Sequence, residues 1–196
     1  MLVAISGSQG SGKSTVLAAL KATGFTTIDR KTSRSILSDW NVTLQDVNND
    51  HDLTLKFQQE IIKRKHQDEL IAKQTPGLYF TERTYADLFT YALISLGREN
   101  TLTDWLDKYY INCMQLQQSY DLVYYLRAGH FTPEHDGVRG SNAHYSRMVD
   151  LTMVDITQQM THQSVLNIID TPILDQRIAI IKSHTAGIMT RVERRV

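Results

Sequence analysis

The sequence predicts an α/β fold in which a parallel sheet is covered by helices, on three observations. Apolar segments of strand length alternate with longer stretches of helical period. A glycine-rich turn stands between the first apolar segment and the first helical stretch. The 196 residues are 41% hydrophobic and 21% charged, an ordinary composition for one soluble domain built on a single core.

Leu2 to Ser6 reads as a buried strand. A helix follows from about Lys13 to Ala22, with Val16, Leu17 and Leu20 on its apolar face, and Gly24 stops it. Phe25 to Ile28 is the second strand, and a short helix begins at Thr32 and leads to a polar loop around Asn48, Asn49 and Asp50. Leu53, Phe57, Ile61, Leu70 and Ile71 set the period of a long amphipathic helix to Lys73, ended by Pro76-Gly77. Leu78 to Thr81 is the third strand. Two helical stretches, Tyr85 to Leu96 and Thr103 to Gln118, precede a fourth strand at Leu122 to Leu126. The polar run from Gly129 to Asn142 carries Pro133, Gly137 and Gly140 and is flanked by Arg127, Arg139 and Arg147. It reads as a lid, residues 129–147 in all, leading into a helix from about His144 to Met160. Val165 to Ile169 is the last strand, and Thr171-Pro172 suits the N-cap and first position of a terminal helix from Ile173 to about Lys182. No repeat or linker divides the chain, so residues 1–196 are expected to form one domain.

Charge and cysteine content exclude several classes. Lysine plus arginine equal aspartate plus glutamate at 21 each, so no overall field gathers nucleic acid or an acidic membrane, and any anion site is local. A single cysteine, Cys113, excludes an internal disulfide framework and reads as a buried apolar residue. No apolar run reaches membrane-spanning length and the start lacks a basic leader, so a cytoplasmic protein is expected. His130, His135 and His144 match no compact zinc spacing and read as polar lid residues. Tyr120, Tyr124, Tyr125 and Tyr145 read as core packing, Tyr145 on a helical face with Val149 and Ile156, and Arg191, Arg194 and Arg195 as a solvated end.

The chemistry concentrates in Gly7-Ser8-Gln9-Gly10-Ser11-Gly12-Lys13-Ser14, which matches the phosphate-binding pattern G-x-x-x-x-G-K-[ST] between a strand and a helix. Gly7, Gly10, Ser11 and Gly12 let the backbone curl so that successive N–H groups face phosphate oxygens, at a helix N-terminus that favours negative charge. Lys13 bridges the terminal phosphates, Ser14 offers a hydroxyl to Mg²⁺, and Thr15 extends the donor set. Glu82 and Arg83 end the third strand, on the side of a parallel sheet where such a loop lies. There Glu82 can join the metal shell or accept a proton, and Arg83 can clamp a phosphate; a surface ion pair is the bland alternative. Asp29 ends the second strand and reads as a base or as a salt-bridge partner of its basic neighbours, with Arg34 the stronger candidate for acceptor binding. Arg139 and Arg147 belong to the lid, where cations can close over phosphates, or are incidental charges of a solvated loop.

Together these motifs resemble the P-loop nucleoside and nucleotide kinases, especially the nicotinamide-riboside-kinase-like group that includes many bacteriophage proteins, and the bacteriophage deoxynucleoside monophosphate kinases. The resemblance covers nearly the whole chain. Beyond the loop, Phe80-Thr81-Glu82-Arg83-Thr84-Tyr85-Ala86-Asp87 with Tyr91-Ala92 looks like that group's acidic-Arg motif, and Asp136-Gly137-Val138-Arg139 like its lid entry. The resemblance implies a three-layer P-loop NTPase fold with a five-stranded parallel sheet, helices on both faces and a helical lid. It also implies ATP with Mg²⁺, γ-phosphate transfer to a small nucleoside or nucleotide, and a substrate-binding place for Asp87. Thr32-Ser33-Arg34 looks like the phosphate-gripping stretch of monophosphate kinases. The candidate cations Arg30, Arg34, Arg83, Arg139 and Arg147 tilt the expected acceptor toward a deoxynucleoside monophosphate. Hydroxymethylated bases in DNA are a less favoured acceptor, and a nucleotide-binding switch is the reading from another class, without an Asn-Lys-x-Asp motif to support it. The partners expected are a small-molecule nucleotide or nucleoside and, for assembly, a second copy of the chain; no membrane partner is expected.

Overall fold

A computed structural model describes residues 1–28, 32–129 and 142–193, with side chains up to residue 187. In chain order the elements are β1 (Leu2–Ser6), α1 (Lys13–Ala22), β2 (Thr26–Ile28), α2 (Thr32–Trp40), α3 (Leu44–Asn49), α4 (His51–Gln74), β3 (Tyr79–Glu82), α5 (Tyr85–Leu96), a 3₁₀ turn (Asn100–Leu102), α6 (Thr103–Gln117), β4 (Leu122–Leu126), α7 (Ala143–Met160), β5 (Leu166–Ile169) and α8 (Leu174–Glu193). The strands form one five-stranded sheet in the order β2-β3-β1-β4-β5, every neighbouring pair parallel. From β1 the chain goes to the edge strand β2, returns inward to β3 beside β1, and then crosses to β4 and β5 on the other side. The C-terminal end of β1 is therefore the place where a parallel sheet opens a crevice for a ligand.

Alternation along the strands makes three layers. Leu2, Ala4 and Val123 point to a core shared with α4, α5 and α6 through Phe57, Ile61, Tyr85, Phe89 and Tyr109. Val3, Ile5, Phe80, Tyr124 and Leu126 point the other way, onto Val16 and Leu20 of α1 and Ile181 of α8. Strands buried on both faces lose the polar alternation of a half-exposed sheet, which is why the apolar runs stand out in the sequence.

Three expectations are corrected. The segment around Asn48 and Asn49 is helical: the Thr43 hydroxyl accepts from Asp46 N (3.1 Å), and the Asp46 carboxylate accepts from Thr43 N (2.8 Å), a reciprocal cap that starts α3. Asp50 then caps α4 by accepting from Leu53 N at 3.0 Å. Second, α8 begins one residue later than expected and runs to Glu193 instead of about Lys182. Third, Tyr145 is 40% exposed, because the first turn of α7 lies beyond the layer that Val149 and Met153 pack against. Cys113, Tyr120, Tyr124 and Tyr125 are buried as expected. No helix of the described residues is long and apolar enough to cross a membrane.

Burial has a consequence at high pH. It pushes the Cys113 thiol up to about 12 from an ordinary 9.0, and it raises the phenols of Tyr85, Tyr109, Tyr120 and Tyr125 above 10.0. Glu69 reinforces the shift at Tyr85 and Tyr120, and Asp150 at Tyr125. These groups keep their protons in the folded chain and lose them at ordinary values in the unfolded one. Stability is therefore unaffected by them below about pH 9 and falls as pH rises beyond it. Urea midpoints measured from pH 7 to 11 are expected to hold level and then drop on the alkaline side; a flat profile to pH 11 contradicts this burial.

Candidate functional site

The segment from Gly7 to Ser14 leaves β1 and enters α1 at the C-terminal edge of the sheet. Gly7 lies at φ 137°, and a Cβ there would sit 2.5 Å from the carbonyl oxygen of Leu126 and 2.7 Å from Ser11 Oγ. Only glycine lets the loop pass this close to β4. Gly12, the N-cap of α1, is left-handed at φ 87°. Lys13 is buried, and its ammonium donates to the carbonyls of Gly7 and Ser8, both at 2.8 Å. The ammonium thus rides on the loop it is expected to serve. Ser11 is wholly buried, and its Oγ has no hydrogen-bond partner among the described residues. Thr15 is exposed in the first turn of α1.

Ser14 Oγ donates to Glu82 Oε2 at 3.3 Å, joining the loop to the end of β3. A hydroxyl and a carboxylate converging beside a phosphate-binding loop are the hard oxygen donors that suit Mg²⁺, so the residues present fit that ion. Arg83 continues the ladder, its N–H donating to Ile5 O at 2.9 Å, but its backbone is left-handed at φ 68°. Such a conformation in a long side chain is strain of the kind held at working sites. It carries the guanidinium over the Tyr91 ring, 5.0 Å from the centroid, with Nη1 buried and without a hydrogen-bond partner among the described residues. Burial opposes its charge, but Tyr91, Asp87 and Glu82 more than offset this and its pKa goes up. Asp87 is wholly buried behind this point. Its Oδ1 accepts from Ser6 Oγ and from Thr84 Oγ1 (2.8 Å), tying the end of β1 to the cap of α5. Its Oδ2 is buried without a hydrogen-bond partner among the described residues.

Four polar residues that do not stand out in the sequence support this arrangement. Lys65 of α4 is buried; its Nζ lies 2.6 Å from Glu69 Oε1 and donates to Thr81 Oγ1 and Glu82 O, both at 3.1 Å. Glu69 in turn accepts from Tyr85 OH (2.7 Å) and Tyr120 OH (3.1 Å). The signal was present: Leu53, Phe57 and Ile61 continue at the same four-residue step into Lys65 and Glu69, an ion pair on a buried face. Asp150 of α7, also buried, accepts from Ser8 Oγ (3.3 Å), Tyr125 OH (2.9 Å) and Ala128 N (3.2 Å) through Oδ1, and pairs with Arg127 through Oδ2 at 3.1 Å. Arg177 of α8 reaches the carbonyl of Ser11. Ile28, Thr32, Lys65, Asp68, Glu69, Thr81 and Glu82 line a small polar pocket at the ends of β2 and β3.

The structure thus brings the loop, Lys13, Ser14, Glu82 and Arg83 to one edge of the sheet. Arg34 and Arg147 are exposed, near the starts of α2 and α7. Asp29 and Arg139, with Arg30, His130 and His135, lie outside the described residues. So does most of the expected lid.

The fold is similar to that of deoxyadenosine kinase from M. mycoides with bound dATP, at a TM-score of 0.69 and 18% identity over 95% of this chain and 100% of that one. The same enzyme with dCMP and a flexible dCDP bound gives a TM-score of 0.67 at 18% identity, again over 95% and 100% of the two chains. The NadR protein in complex with NR gives 0.63 at 14% identity, over 87% of this chain and 46% of that longer one. No curated protein matches the chain by sequence. Residues 2–176, most of the chain, match the model of the AAA domain family, and with the phosphate loop seated at the end of β1 of a five-stranded parallel sheet, the protein belongs to that family.

Proposed function

We propose that the protein is an ATP-dependent kinase that transfers the γ-phosphate to a small nucleoside. The observation that carries the reading is the contact between Ser14 and Glu82, which sets a hydroxyl and a carboxylate beside a loop of phosphate-binding form, with Arg83 next along the chain. The loop amides and Lys13 hold the polyphosphate. Mg²⁺, held by Ser14 and Glu82 when bound, neutralises charge on the phosphates. Asp29 follows β2 in sequence and is assigned the acceptor proton. As the acceptor oxygen bonds to the γ-phosphorus, the bond from phosphorus to the bridging oxygen breaks, ADP leaves with that electron pair, and the hydroxyl proton passes to the carboxylate. Arg83 stabilises the charge on the transferring group.

The polar pocket favours a nucleoside over the monophosphate that an arginine count in the sequence favours. Three carboxylates, Asp68, Glu69 and Glu82, line it against one lysine, whose ammonium is already engaged by Glu69. The one lysine of this lining is thus taken up, so the pocket offers a phosphate dianion no open ammonium and suits a neutral hydroxyl. The similarity to a deoxyadenosine kinase and to NadR supports the same choice.

Steady-state assays separate the roles. ATP turnover is expected to accelerate with one or more nucleosides and to respond less to the matching monophosphates. Glu82→Gln is expected to raise the Mg²⁺ concentration needed for half-maximal rate, whereas Asp29→Asn lowers kcat without moving that requirement. Monophosphates stimulating better than nucleosides would return the acceptor to the monophosphate class, and an unchanged magnesium response would reassign Glu82 to structure.

A further inference from the structure

Arg177 lies in the first turn of α8, 166 residues from the phosphate loop, yet its side chain is almost completely buried beneath that loop. Nη1 donates to the carbonyl of Ser11 at 2.5 Å, and Nε to the carbonyl of Thr171 at 2.6 Å. A buried guanidinium spent on two backbone carbonyls of two loops fixes the geometry of those loops relative to each other. Asp170, next to Thr171, contributes a favourable field.

The consequence for the loop follows from the peptide group itself. In a trans peptide the C=O of one residue and the N–H of the next point in opposite directions across a rigid plane. With the Ser11 oxygen pinned on the Arg177 side, the Gly12 N–H is turned the other way, away from Arg177. The next peptide is held as well, since Gly12 O accepts from Val16 N at 3.0 Å in the first bond of α1. A cation bonded to a carbonyl also draws electron density from the attached N–H and strengthens it as a donor.

We propose that Arg177 is a positioning residue for the donor polyphosphate: it aims and strengthens the Gly12 amide and locks the loop to the segment that follows β5. The inference rests on the reading of the loop as a polyphosphate cradle and is independent of the acceptor. It also assigns a cation behind the loop, complementing Lys13, which lies on it.

The test uses the whole chain in three variants, Arg177→Met, Arg177→Lys and, as a control for stability, Ile181→Ala, which removes a buried side chain one turn further along the same helix. ATP affinity is measured by calorimetry, and the Gly12 amide is followed by ¹⁵N–¹H NMR without nucleotide. Arg177→Met is expected to weaken ATP binding about tenfold, the size of one lost charge-assisted hydrogen bond, and to move the Gly12 amide proton upfield. Arg177→Lys, with one ammonium for two carbonyls, falls between it and the wild type in both. Ile181→Ala lowers the melting temperature but leaves both readouts in place. A Gly12 resonance and ATP affinity unchanged in Arg177→Lys and Arg177→Met, beside a wild type that binds ATP, overturn the role of Arg177 alone. Should the methionine variant fail to fold, wild-type values of both in Arg177→Lys overturn it equally. A wild type that binds no ATP overturns the cradle, and this role with it.

Discussion

Lys13→Met is expected to lower turnover by about 10²–10³-fold, the scale on which loss of one charge-stabilising donor is felt in a transfer reaction. The side chain is 5% exposed, so its stem also packs, and methionine keeps that volume while removing the charge. Two carbonyls, those of Gly7 and Ser8, lose their bond to the ammonium, which costs about 1–3 kcal/mol if neither is rehydrated. The far-ultraviolet circular dichroism of the variant should match the wild type, with a modest fall in melting temperature. Turnover close to the wild-type rate would mean that the lysine serves the loop and not the phosphates.

Gly7→Ala is expected to damage fold and site together. The added methyl meets the Leu126 carbonyl at 2.5 Å, backbone that cannot swing aside as a side chain can, at a φ of 137° that alanine rarely adopts. Overpacking costs about 1–3 kcal/mol and the unfavourable backbone about as much again. Gly24→Ala is the control: at φ 94° it has the backbone penalty, but nothing lies within 4 Å of its Cβ. Urea unfolding should therefore show a loss for Gly7→Ala well above that for Gly24→Ala, and only the former should lose ATP binding. Equal losses would show that the close approach to β4 carries no energy.

Much of this was legible because the decisive signals are local. Strands buried on both faces give uninterrupted apolar runs, so β1 and β4 are read residue for residue, and α1 and α5 are bounded by glycine and by a Thr-x-x-Asp cap. The phosphate loop is contiguous, and its meaning follows from the strand before it and the helix after it. What was not legible acts across the chain. Asp150 and Arg177 look like ordinary helix-surface charges until folding brings them behind the loop, and no spacing in the sequence links Arg177 to Ser11, whereas Lys65 and Glu69 continue the buried step of α4. Helix α3 has only six residues, too few for a period to show, although its Thr43 and Asp46 cap was in view. The acceptor is likewise set by what folding brings together, which is why a nucleoside is proposed here. Arginines can be counted in a sequence, but Arg34 and Arg147 turn out to be exposed, while carboxylates from α4 and β3 share one small pocket.

In the proposed reaction the loop after β1 presents a polyphosphate to a second molecule held at the ends of β2 and β3. Incubation with ATP labelled at the γ-phosphate, Mg²⁺ and a panel of nucleosides, followed by separation of products, tests it most directly. Label is expected in a nucleoside monophosphate, in amounts matching the ADP formed, and it should vanish with Lys13→Met. Tight ATP binding with no label in any nucleoside or nucleotide would contradict the account and leave a nucleotide-binding switch in its place.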